Sequence, residues 1–168
     1  MDVRQIFSKQ EAKRIFCEAF MFDDRNAKNY SQEQFELGWK QWLGFFVLQD
    51  ANKTVAFCGI RQYGNHARIF DRYFVHPDYR KQGLDIAEHS MLLVKTLINS
   101  CEDKIPFFSI EHRSKRPALL RAIDRFNSVL PVDKQFHALD GLYQTAPNSW
   151  QNIAILKPHK SIDLERIE

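Results

Sequence analysis

Cysteine is sparse in this 168-residue chain: Cys17, Cys58 and Cys101 lie far apart, and their number is odd. No Cys-x-x-Cys pair occurs, so a disulfide framework and a thiol redox motif are both excluded, and the three read as reduced residues of a cytoplasmic protein. No pair of histidines or cysteines has the spacing of metal ligands, so no metal is expected. Six glycines supply neither a Walker loop nor a Gly-x-Ser-x-Gly elbow, which removes two large enzyme classes. No apolar run approaches the ~20 residues of a membrane span, and the first residues lack a signal-peptide pattern. A large excess of one charge is also missing. The net charge of +3 suits a small anionic ligand and gives no indication of nucleic acid.

What the chain does have is apolar and aromatic mass, 44% hydrophobic residues and 14 phenylalanines. That is enough for a core without staples, since a domain of this size buries roughly 68–70% of its unfolded surface. We expect one domain over residues 1–158 and a polar tail over 159–168. Ser8 with Glu11 forms a capping box before a helix that carries Ala12, Ile15, Phe16 and Ala19 at helical spacing. Ser31 with Gln34 predicts a second helix start, running to Trp42, with Phe35, Trp39 and Trp42 read as core. Strands are predicted at 45–48, 54–63 and 67–76, with Gly59 marking a bulge or a close backbone approach. A helix over 84–100 follows, then a strand over 105–110 despite Pro106. Next comes a helix from Pro117 burying Leu119, Leu120, Ile123 and Phe126, and finally strands at 136–145 and 150–156.

Residues 74–84 say most about function. An aromatic strand breaks at Pro77 into a short basic turn with Arg80, Lys81 and Gly83, and a helix follows. Free backbone N–H groups at a helix start, the helix dipole and two basic side chains make a site for a phosphate or pyrophosphate.

This stretch resembles the acyl-CoA-binding motif of the GNAT superfamily of N-acetyltransferases, roughly Val-x-Pro-x-Tyr-Arg-x-x-Gly-x-Gly/Ala. Val75, Pro77, Tyr79, Arg80 and Gly83 fall in register, and Asp85 stands where the family has Gly or Ala. The resemblance implies an α/β (α+β) fold with a mixed, mostly antiparallel central sheet. It further implies splayed parallel strands at the motif and helices on both faces. It implies acetyl-CoA or another short acyl-CoA as co-substrate, an amine acceptor of unknown identity and direct transfer, and it leaves a homodimer open. Phe74, Val75, Arg80, Lys81, Gln82, Gly83, Leu84 and Asp85 would hold the acyl-CoA, strand amides near Val75 taking the pantetheine arm.

Direct transfer needs a base for the ammonium and an acid for the leaving thiolate. Asp71, on the motif strand with Ile69, Tyr73 and Val75 on its face by alternation, is the first candidate base; an ion pair with Arg72, Arg68 or a basic residue on a neighbouring strand is its plain alternative. Glu111 and His112 end the next strand and could act through water, while His76 ranks below them. The family's acidic tyrosine has no counterpart in residues 117–130, so Tyr143 or Tyr73 would supply it. With Asp85 in the turn, the alternative function is a catalytically inactive protein of the same fold that binds CoA weakly or not at all.

Overall fold

The computed structural model describes residues 1–23, 28–80, 86–111, 116–146, 149–156 and 165–167. The chain divides into two compact units, Met1–Gln62 with Phe70–Ser100, and Tyr63–Ile69 with Cys101–Glu168.

The first unit begins with strand β1 (Asp2–Gln5), helices α1 (Lys9–Asp23) and α2 (Lys28–Gln41), and strands β2 (Trp42–Asp50) and β3 (Lys53–Tyr63). It continues with the second half of β4 (His66–Val75), the single turn α3 (Pro77–Arg80) and helix α4 (Ile86–Asn99). Its strands run in the order β1-β2-β3-β4, with β1–β2 and β2–β3 antiparallel. Ser8 caps α1 as expected, its Oγ accepting from the Glu11 N–H at 3.2 Å. The second capping box fails: α2 is already helical at Lys28, so Ser31 lies inside it, 1% exposed. Trp42 is likewise the first residue of β2 and not the end of the helix. Phe45, Val47 and Phe57 pack with Ile15, Phe16 and Phe35 of α1 and α2. The alternate residues Phe46, Leu48, Ala56, Cys58 and Ile60 are buried too, and α4 contacts β1 and β2. Both faces of this part of the sheet are therefore covered, as an unbroken apolar run requires.

In the second unit, the first half of β4 pairs in parallel with β5 (Ile105–Glu111): His66 with Ile105, Ala67 with Pro106 and Arg68 with Phe107. Pro106 is tolerated because it opens the strand. Helix α5 (Arg116–Val129), β6 (Phe136–Ala138), β7 (Leu142–Ala146), β8 (Ser149–Leu156) and β9 (Glu165–Ile167) follow. The order is β4-β5-β8-β7-β9, with β6 also on β8 and every pair except β4–β5 antiparallel. Residues 136–145 are not one strand. Gly141, at φ 78°, breaks them, so β6 takes one end of β8 and β7 the other. Successive residues of β5 face opposite ways. Phe108 meets Phe126 and Phe136 at ring separations of 5.2 and 5.0 Å, while Phe107 packs with Tyr63, Ile153 and Ile155. Leu120, expected in the α5 face, is 45% exposed; the buried stripe is Leu119, Ile123 and Phe126. The mixed, mostly antiparallel sheet with one parallel pair is the architecture that the sequence implied.

Candidate active site

Asp71 lies in the part of β4 that belongs to the first unit and is only 5% exposed. Its Oδ2 accepts a hydrogen bond from the Trp42 indole N–H at 2.8 Å. The residues on either side, Phe70 and Arg72, have φ of 58° and 54°, a left-handed conformation that non-glycine residues adopt at a cost of ~1–2 kcal/mol each. With these two residues at positive φ, the strict alternation of side chains along the strand is broken. Tyr73 shares a hydrogen bond with Ser90 of α4, and burial pushes its phenol above the ordinary value. Asp71 instead reaches Trp42 in the cluster beneath α1 and α2. Arg72, the expected ion-pair partner, donates from its guanidinium to Gln34 of α2. Cys58 of β3 lies within the electrostatic reach of this carboxylate. Burial, and secondarily the charge of Asp71, pushes its thiol upward, so it is no nucleophile.

The end of β4 is tied down by its own sequence. The Arg80 Nε donates to the Val75 carbonyl at 2.7 Å, and the guanidinium lies 5.1 Å from the Phe74 ring centre. Phe74 stacks on Phe57 at 5.3 Å. Tyr79 is buried; its hydroxyl donates to Asp50 at 3.1 Å, while Lys53 pairs with Asp78 at 2.8 Å. Thus the β2–β3 turn anchors α3 on both sides. The His76 Nδ1 accepts from the Asp78 N–H at 3.2 Å. Burial, opposed by Asp78, lowers the affinity of this imidazole for a proton. A cavity of about 250 Å³ opens here, lined by Arg14, Glu18, Lys53, Phe57, Phe74 and His76 among others.

Lys81, Gln82, Gly83, Leu84, Asp85 and His112 lie outside the described residues. Glu111 and Tyr143 belong to the second unit, where each is in register with Gln151, on opposite sides of β8. Tyr143 is half-buried against the cluster of Phe107, Ile153 and Ile155. Asp71, Phe74, Val75 and Arg80 therefore share one unit, and Glu111 and Tyr143 share the other. The sequence reading placed Trp42 in the core, which is correct, but missed its bond to Asp71. The glycine at 59 was the available clue: a Cβ there would lie 2.5 Å from the indole.

Among known proteins, residues 9–84 match the acetyltransferase (GNAT) family. No curated protein matches the sequence. The aminoglycoside 6'-N-acetyltransferase from Enterococcus faecium has a similar structure, with a TM-score of 0.58 and 12% identity over 96% of this chain and 100% of that one. A protein of Salmonella typhimurium solved with its cofactor acetyl-CoA gives 0.54 and 15% over 96% and 97%. Spermidine N-acetyltransferase from Vibrio cholerae gives 0.56 and 12% over 93% of each chain. Residues 9–84 thus match the GNAT acetyltransferase family, and over nearly its whole length the chain shares the fold of these acetyltransferases.

Proposed function

We propose that the protein transfers an acetyl or other short acyl group from acyl-CoA to a primary amine. The observation that carries this reading is the end of β4. There Val75, Pro77, Tyr79 and Arg80 stand in the order of the family's acyl-CoA motif, and Arg80 is bonded to the Val75 carbonyl. In this reading Asp71 takes the proton from the acceptor's ammonium. The amine nitrogen then bonds to the thioester carbon, the carbon–sulfur bond breaks, an acid protonates the departing thiolate, and the second proton that the nitrogen sheds to become an amide restores that acid. Glu111 is the second candidate base and Tyr143 the candidate acid. Tyr73 is a further candidate, although the burial that pushes its phenol up makes it a weaker proton donor. Residues 74–75 and 80–85 would hold the acyl-CoA. Three cysteines that form no disulfide among the described residues fit a reducing compartment, hence the cytoplasm.

Titration calorimetry of acetyl-CoA into the wild type and Asp85→Gly tests the binding half. Unit charges ~5 Å apart at an effective dielectric of ~20 repel by ~3 kcal/mol, so the glycine variant should bind more tightly, by up to about 100-fold before screening. Absence of binding to both proteins ends the proposal. Turnover is then screened with an aminoglycoside, spermidine and a peptide with a free N-terminus. In the amine that reacts, Asp71→Asn should lower kcat about 100-fold with little change in KM for acetyl-CoA. Binding without turnover of any amine would favour the inactive-scaffold reading.

A further inference from the structure

The indole of Trp42 sits in a cradle shaped for it. A Cβ at Gly38 of α2 would come within 2.4 Å of the ring and one at Gly59 of β3 within 2.5 Å, so any other residue at either position would displace it. Neither glycine is at positive φ among the described residues; the indole itself accounts for them. Phe45 stacks on the ring at 5.4 Å, and Phe16 and Phe35 close on it at 6.0 Å. Packing of this kind needs only the ring's bulk. Yet the ring is turned so that its one polar atom donates to Asp71 at 2.8 Å, with Trp42 8% and Asp71 5% exposed.

We propose that Trp42 is a positioning residue for the Asp71 carboxylate. Holding Oδ2 fixes the carboxylate plane, and with it the direction in which Oδ1 meets the acceptor's ammonium. Asp71 is flanked by residues at positive φ on both sides, so its place in the strand is unusual, and a base must be held in a fixed orientation to be aligned for proton transfer. The proposal rests on Asp71 being the base, and its test separates the two.

The shape-preserving probe is a benzothienyl-alanine placed at 42 by site-specific incorporation: the same bicyclic outline with sulfur in place of N–H. Trp42→Phe and Gly59→Ala serve as coarser companions, and all are checked by thermal melting. With the amine found in the screen above, the analogue should lower kcat about 10-fold, the kinetic equivalent of one hydrogen bond to a charged group, while KM for acetyl-CoA stays unchanged. Combined with Asp71→Asn, it should lower kcat no further, because its effect passes through the carboxylate. The Trp42 indole N–H resonance should also move when Asp71 becomes asparagine. An unaltered kcat, or the same loss with and without Asp71, overturns the positioning role and leaves Trp42 as core. If Asp71→Asn is itself without effect in an active enzyme, the base assignment falls and the positioning role falls with it. If no amine is turned over while the resonance still reports the bond, the pair is structural only and the role is refuted.

Discussion

Burial leaves His89 of α4 1% exposed, with no hydrogen-bond partner for either ring nitrogen among the described residues. Its ring meets Tyr79 edge-on at 6.1 Å. A buried polar group of this kind costs about 1–3 kcal/mol relative to a paired one. His89→Leu, similar in volume and free of the polar atoms, should therefore stabilise the protein by roughly 1–2 kcal/mol. Calorimetry would then show the melting temperature rising by about 2–4 °C per kcal/mol for a chain of this size; a lower one would mean that the imidazole is bonded after all. Residue identities were legible in the sequence to different depths. Asp71 could be found as a lone carboxylate in an aromatic strand, and Tyr79 and Arg80 by the motif. The partners could not. Trp42 is 29 positions from Asp71, and Asp50 is as far from Tyr79, so only the folded sheet brings either pair together.

Among the elements, the β2–β3 hairpin is the least comfortable. Asp50 pairs with Lys53 across a two-residue loop. Ala51 within that loop has φ 53°, a conformation that glycine adopts freely and alanine does not. Ala51→Gly should add roughly 0.5–1 kcal/mol, read as an increase in the urea midpoint with an unchanged slope. Should the midpoint fall, the entropy of the unfolded glycine outweighs the relieved strain. The element types were otherwise set by periodicity, which is why β3, β4, α4 and β5 came out within a few residues of their expected bounds. Errors arose where a local rule met tertiary packing. The backbone at Phe70 and Arg72 is bent by its surroundings with no glycine to announce it, and Ser31 became interior because α2 starts before its own capping signature.

For the molecule as a whole, two histidines among the described residues, with lowered proton affinity, weaken the fold on the acid side. Both His76 and His89 are pushed below the ordinary value of 6.5 chiefly by burial. The folded chain thus refuses protons that the unfolded chain accepts. Their contribution is complete above about 6.5 and is lost as the pH falls through the folded values. Urea midpoints should be level above neutrality and decline below it, with a shallower decline in His89→Leu; identical slopes in both proteins would remove His89 from the account. We also propose that residues 1–158 act as one domain, because neither compact unit is continuous in sequence. Residues 63–69 interrupt the first unit and pair within the second. That interleaving makes the chain a natural candidate for fragment complementation. A piece ending at Ser100 keeps His66, Ala67 and Arg68 as an unpaired edge, and the piece from Cys101 onward carries the β5 that would cover it. Expressed apart, each should aggregate through its bare strand; refolded together, they should recombine by strand addition into a one-to-one complex. Co-elution of the two pieces in gel filtration would then report reassembly of two separately made polypeptides.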